Sequence, residues 1–304
     1  MLLAAALLAS LGSVTACQSE FAGLRLIIAT GSSDGVYYQV GSRLATAWAN
    51  SLDIARPTVL ETAGSLENIQ RLQAGTADIA FGSADAITDA NAGPRKLRAL
   101  ARIYDDYIQI VVRADLPITR LADLAGRKVS VGPIGSQTQL VANRILHTAN
   151  VNVAPVDENL NDSIIDMSHG RIDAFVWSGG IPTQSLANLD RSVPVRLLDL
   201  SKDSGVLTAM LQNYPVYSQA VVPAGTYGQG SPQVTTLAVP NVLLVTDQMP
   251  DDVAEALVRG LFEAAGQLAV VNTAALAIDV HTAIFTEPVP LHPGAEAYYR
   301  SAKV

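Results

Sequence analysis

Basic side chains, histidines and cysteines are all in short supply, and each shortage removes a class of function. Twenty Lys and Arg stand against 28 Asp and Glu, for a formal net charge of −8 and an isoelectric point near 4.9. That balance excludes a nucleic-acid partner, because affinity for a phosphate backbone comes from cations that displace counterions, and no basic stripe offsets it. Cys17 is the only cysteine, so a disulfide within the chain is impossible and paired-cysteine metal sites are ruled out. His147, His169, His281 and His292 are scattered, with no H-E-x-x-H spacing, so no metal site is expected. Also missing is any run after Gly23 long and apolar enough to span a bilayer.

What is there is globular. Of 304 residues 49% are hydrophobic and 16% charged, well away from the polar composition of disordered chains. The length suits two lobes with separate cores, since single cores stop growing near ~250 to 300 residues.

The N-terminus has its own character. Met1 to Gly12 is almost wholly apolar and is followed by small residues, like a signal-peptide core, and it is too short to cross a membrane. Val14-Thr15-Ala16-Cys17 resembles the bacterial lipobox, in which an aliphatic and two small residues precede the cysteine that takes the lipid. Residues 1–17 are therefore expected as signal peptide with lipobox, Cys17 as the lipidation site, and 18–23 as a tether, leaving an extracytoplasmic protein anchored by lipid. The alternative is ordinary secretion with cleavage nearby. No Lys or Arg precedes Arg25, so the basic segment that usually opens a signal peptide is missing from it.

Downstream, one pattern is used twice. Leu24 to Thr30 reads as a buried strand, Gly31-Ser32-Ser33-Asp34-Gly35 as a loop and Val36 to Asn50 as a helix. Pro57 to Thr62 follows as extended chain, then a helix from Gly64-Ser65 to Ala74, a Gly75 stop and a strand from Asp78 to Phe81. Ser65 and Asn68 are expected to hold the free N–H groups of that helix start. About 100 residues later the order returns: strand Lys128 to Gly132, loop Gly135 to Thr138, helix Gln139 to Ala149, extended Val151 to Val156, helix Leu160 to Ser168, stop Gly170, strand Asp173 to Trp177. Gly75 with Asp78 and Gly170 with Asp173 repeat the same three-residue offset. Ordinary α/β grammar accounts for the echo, so it speaks for architecture. Ala99 to Arg113 is expected to cross between the lobes and Thr235 to Thr246 to cross back, with tail helices over Asp251 to Val271 and Gly294 to Ala302. The expected fold is α/β, two βαβαβ lobes joined by a two-strand hinge, with 24–112 plus 246–304 as lobe 1 and 113–245 as lobe 2. Such a hinge suits closure around a ligand.

In open parallel sheets ligands sit beyond the carboxyl ends of the strands. Both Gly/Ser loops lie there, and each leads into a helix whose first turn carries unpaired N–H groups and about half a positive charge. Two such starts facing one cleft would hold an anion through backbone approach at Gly31, Gly35 and Gly135 and hydroxyls of Ser32, Ser33, Ser136 and Thr138. Neither loop contains Lys or Arg, so backbone and hydroxyl donors are expected in place of an Arg fork unless a basic side chain arrives from elsewhere. Tyr37 and Trp177, with Gly179 beside it, are candidates for apolar walls, whereas Tyr38 reads as packing. Asp105-Asp106 reads as a turn.

Five stretches together resemble the TAXI receptors of tripartite ATP-independent periplasmic (TRAP) transporters: Ala29-Thr30-Gly31 through Gly35-Val36-Tyr37-Tyr38; Gly64-Ser65 with Asn68 and Asp78; Asp123 to Gly126 through Gly135-Ser136-Gln137-Thr138; Gly170 to Phe175; and His292-Pro293-Gly294-Ala295 with Tyr298-Tyr299. The resemblance implies a type II periplasmic-binding-protein fold, no cofactor, a monomer, and delivery of a small carboxylate, such as glutamate, a dicarboxylate or a keto acid, to a membrane permease. It adds Ser65, Ser83 and position 36 to the ligand contacts. Val36 takes the place of a family Thr, and Gln137 that of a middle Gly, bringing a bulky amide to the cleft.

Two rivals remain. A receptor of this kind could dock on a membrane sensor kinase instead of a permease. Alternatively, Gly31 to Gly35 fits G-x-S-x-G between strand and helix, which would make Ser33 a hydrolase nucleophile.

Overall fold

Short aliphatic strands alternate with amphipathic helices, because each strand buries both faces and each helix only one. In the computed structural model residues 20–33, 35–90 and 93–304 are described. Cys17, the expected signal segment and residues 18 and 19 of the tether lie outside the described residues. The elements run β1 (Ile27–Ala29), α1 (Val36–Leu52), β2 (Thr58–Leu60), α2 (Ser65–Ala74), β3 (Ile79–Ser83), α3 (Ala84–Asp89), β4 (Leu97–Arg113), β5 (Lys128–Ser130), α4 (Gln137–Thr148), β6 (Ala154–Val156), α5 (Leu160–Ser168), β7 (Ala174–Gly179), α6 (Gln184–Asp190), β8 (Val195–Leu197), α7 (Ser204–Asn213), β9 (Ser218–Val222), β10 (Val234–Thr246), α8 (Asp251–Val271) and α9 (Pro293–Ser301).

The strands form one sheet in the order β2-β1-β3-β10-β4-β7-β5-β6, with β8 on β4 and β9 on β10. Within β2-β1-β3 and within β6-β5-β7 pairing is parallel, and the two trios mirror each other across the antiparallel pair β10 and β4. Those two long strands are the expected crossings. β10 pairs β3 through Asn241 to Leu244, and β4 pairs β7 through Tyr107 to Val112. Each lobe has its own buried cores. Trp48 and Leu44 of α1 meet Leu257 and Leu261 of α8 against β1 and β4, while Val129, Val141, Ile145 and Met210 pack around β5 and the far end of β10.

The repeated Gly-x-x-Asp has a local cause. Gly75 and Gly170 take left-handed φ values of 72° and 67°, which end the preceding helices. Three residues on, Asp78 accepts a hydrogen bond from the Ile27 N–H (2.8 Å) and Asp173 from the Lys128 N–H (3.1 Å). In both lobes, therefore, the carboxylate satisfies the first donor of the adjacent parallel strand.

Two local expectations are corrected. Ser65 and Asn68 do not cap α2: its N-cap is Gly64, at φ 122° and without a side-chain cap bond. Asn68, fully buried, instead donates to the carbonyls of Thr30 (2.5 Å) and Phe81 (2.9 Å), tying together the exits of β1 and β3. Its position inside the first turn aims the side chain at the sheet. Nor is Asp105-Asp106 a turn; both residues lie in mid-β4 opposite Pro240 and Val239. Register shifts on either side of Ile103 and Leu100 mark bulges in this ladder, which re-aim the side chains next to them.

Asn68→Ala leaves two buried carbonyls without their donor and is expected to cost about 2–4 kcal/mol in a denaturant melt. An unchanged midpoint would show that the strand exits are held by other means.

Candidate functional site

The carboxyl ends of β1, β2, β5 and β7 open on one cleft, a cavity of about 290 Å³, at the small end of the ~300–1,000 Å³ common for ligand pockets. On the first side the chain leaves β1 at Thr30, whose hydroxyl donates to the Leu60 carbonyl (2.6 Å). Gly31, Ser32 and Gly35 then run along the cleft wall into the start of α1, where Val36 and Tyr37 face the cavity. The start of α2 adds Gly64 and Ser65. The Tyr37 ring stacks on Phe81 at 5.0 Å, and its hydroxyl donates to Asn241 Oδ1 and lies 3.1 Å from Ser65 Oγ. Ser65 Oγ in turn accepts from the Ser83 N–H (3.1 Å). Burial, reinforced by the nearby Asp106 charge, raises the Tyr37 phenol well above its ordinary range and keeps it a donor.

Opposite stand Gly132, Pro133, Ser136, Gln137 and Thr138, the approach to α4, with Asn159 and Leu160 at the start of α5. Ser136 is the N-cap of α4: its hydroxyl accepts from the Gln139 N–H (3.1 Å), and its proton stays available to the cavity. A Cβ on Gly64 would lie 3.9 Å from Ser136 Cα, so the loops of the two lobes nearly touch. Trp177 and Gly179 at the end of β7 complete the wall. A Cβ on Gly179 would come within 2.5 Å of Trp177 Nε1, so only glycine leaves that indole in place.

A buried network bridges the lobes beneath the cavity. Asp85, at the start of α3, accepts from Gln137 Nε2 (3.0 Å) and from the Tyr217 hydroxyl (2.8 Å). Tyr217 accepts from Arg144 (2.9 Å), which also sits 4.3 Å from the Tyr214 ring centre. The Gln137 amide expected at the ligand is thus committed to Asp85.

The electrostatics differ from expectation. Among the described residues no Lys or Arg lines the cavity, while Glu61, Asp106 and Glu158 do. Asp106 is only 5% exposed. Ser178 donates to its Oδ2 (3.4 Å), and its Oδ1 has no hydrogen-bond partner. Burial, with the Asp85 and Asp105 charges behind it, pushes the carboxyl up to about 7 against the pull of Asn241 and Ser178. Glu158 is raised too, by burial first and then by Asp166.

The structure therefore brings Gly31, Ser32, Val36, Tyr37, Ser65, Ser136, Gln137, Thr138, Trp177 and Gly179 into one cleft. Ser33 is outside it, exposed, with its N–H donating to Glu61 (2.9 Å). Ser83 lies beneath the floor, fully buried, its hydroxyl without a partner. Sequence reasoning missed Tyr104, Asp106 and Glu158. For the first two the available signal was alternation, Tyr104 and Asp106 falling two apart in a stretch rich in β-branched and aromatic residues. No histidine lines the cavity, and His292 caps α9, its Nδ1 accepting from the Gly294 N–H (3.1 Å). Among the described residues no His/Cys/Asp/Glu group could hold a metal, and no helix is long and apolar enough to cross a membrane.

A family model described as the NMT1-like family matches residues 28–302. Among solved structures, a Xanthomonas citri protein bound to ATP is similar at 14% identity, covering 91% of this chain and 94% of that one, with a TM-score of 0.52. A substrate-binding protein of an amino acid ABC transporter from Streptococcus pneumoniae, bound to L-arginine, matches at 15% identity over 83% and 95%, with a TM-score of 0.50. A Bordetella bronchiseptica protein matches at 18% identity over 91% and 80%, TM-score 0.50. At these identities the likeness is one of fold, and the fold is that of type II periplasmic binding proteins, as the sequence suggested.

Between its ordinary 3.8 and about 7, Asp106 binds more proton in the folded chain than in the unfolded one, so its contribution to stability falls as pH rises through that window. Thermal or denaturant melts of wild type and Asp106→Asn should show the variant gaining on wild type by on the order of 4 kcal/mol between pH 4 and pH 8. A difference that does not vary with pH would contradict the burial of an uncompensated carboxyl.

Proposed function

We propose that this chain, which belongs to the NMT1-like family, is an extracytoplasmic solute-binding protein that captures a small carboxylate-bearing metabolite between its lobes. The observation that carries the reading is the convergence of four helix starts, those of α1, α2, α4 and α5, on one small cleft. Each presents N–H groups that its own helix leaves unpaired, and each carries the positive end of a peptide dipole. With no Lys or Arg in the lining, these donors and the hydroxyls of Ser32, Ser136 and Thr138 are the groups that hold a carboxylate.

We assign 24–112 with 246–304 to one lobe and 113–245 to the other, with closure about β4 and β10 and the Asp85 network fastening the shut form. Within the family we place the chain with TAXI receptors serving a TRAP-type permease. Supporting this are the tyrosine after the first loop, which reaches both Ser65 and Asn241, and the His-Pro-Gly-Ala stretch, where a Cβ on Gly294 would collide with the Asp251 carbonyl at 2.0 Å. We propose export and lipid anchoring through Cys17, on the lipobox pattern. Binding is favoured over catalysis because Ser33 stands outside the cleft and no histidine lines it.

A thermal-shift screen of amino acids, dicarboxylates and keto acids should find at least one stabiliser, worth ~2.7 kcal/mol at 100 times its Kd. If no carboxylate shifts the melt, the reading fails.

A further inference from the structure

The reading above accounts for a carboxylate and leaves the strongest polar feature of the cleft unused. Asp106 sits at mid-strand on the face of β4 that it shares with Tyr104, and both line the cavity. Its Oδ1 is buried and makes no hydrogen bond, and the nearby Asn241 Nδ2, which draws on the same carboxyl, is buried and unbonded as well, so the neutral amide leaves the charge without a counterion. The neighbouring cations are engaged elsewhere: Arg102 pairs with Asp105 (2.7 Å), and Arg144 is bound to Tyr217. The other charges in the lining, Glu61 and Glu158, are also negative. A buried carboxylate with no countercharge is costly, and a ligand can supply the missing cation. The surroundings suit one, because Tyr37, Tyr104 and Trp177 line the same cavity and aromatic rings attract ammonium groups. The cleft is thus polarised, negative at its floor on β4 and positive at its helix starts.

We propose that Asp106 is an ammonium subsite: the captured carboxylate also bears a protonated amine, which donates to Oδ1 of Asp106, so that the receptor selects amino acids over their deaminated counterparts. The proposal rests on the carboxylate reading and narrows it. Asp106 is the specificity-determining residue, and any proton its carboxyl carries leaves to solvent as the already protonated ammonium approaches, because Oδ1 must be free to accept.

The test is calorimetric titration of the full chain with matched pairs: L-glutamate against L-2-hydroxyglutarate, and L-leucine against 2-hydroxy-4-methylpentanoate. Each pair keeps skeleton and carboxylates and exchanges ammonium for hydroxyl. For a pair that binds, the amino acid should win by about 100-fold, the scale of losing one partner of a buried charge pair, and Asp106→Asn should bring the two members within a few-fold of each other. A hydroxy acid that binds wild type as tightly as its amino acid overturns the ammonium subsite and leaves the carboxylate reading standing. Discrimination that survives intact in a folded Asp106→Asn, verified by its melt, also overturns it. If the thermal-shift screen finds a carboxylate that binds but no amino acid that does, the subsite falls and the carboxylate reading stands; if no carboxylate binds, both fall.

Discussion

The antiparallel ladder between β4 and β10 is the constraint on which everything else hangs. It joins the two halves of the sheet, taking β3 on one side and β7 on the other. Because both strands must pass from one lobe to the other, some of their residues necessarily face the gap between them. Tyr104 and Asp106 are those residues on β4, and Asn241, opposite Tyr104 on β10, anchors the Tyr37 hydroxyl. The floor of the cleft is therefore a by-product of connectivity, with Tyr104 belonging both to the cavity lining and to the core beneath α1 and α8.

Around that floor the parallel trios contribute walls by a common rule. Parallel strands put all their exits on one edge, each exit leads into a helix, and each helix start brings unpaired donors. The staple from Asn68 to Thr30 and Phe81 and the cap of Ser136 on Gln139 hold these exits in place. What distinguishes this cleft is the sign of its side chains, acidic throughout where an Arg is the usual partner of an anion. Below it, Asp85, Gln137, Tyr217 and Arg144 form a chain of bonds between elements from both lobes. Two of its members, Asp85 and Arg144, are charged and buried, and their bonds to Gln137 and Tyr217 are what make that burial tolerable.

Much of the architecture could be read directly from the chain, because its signals are local. The helices at Ser65–Ala74, Leu160–Ser168 and Asp251–Val271 matched expectation, since left-handed glycines or a turn of acidic residues mark their ends. The repeated Gly-x-x-Asp was visible, and its role in satisfying the next strand's first N–H explains why it occurs once per lobe. Less was legible where a residue's partner is distant in sequence. Asp105-Asp106 has turn composition, and only pairing with residues 239 and 240 makes it a strand. Gln137 looked like a ligand contact until Asp85, 52 residues earlier, claimed its amide. Between Ile181 and Gln233, α6, β8, α7 and β9 went unassigned, being short elements added to sheet and lobe from outside the repeat.

The central claim is a cleft in which helix starts take the carboxylate and the β4 floor takes the amine. A crystal structure with the carboxylate that most raises the melting temperature tests it directly. The account predicts the ligand's carboxylate within hydrogen-bond distance of the α1 or α4 start and its nitrogen against Asp106. Ligand density seated elsewhere, for instance in the surface hollow lined by Arg102, Tyr107 and Phe285, would contradict it.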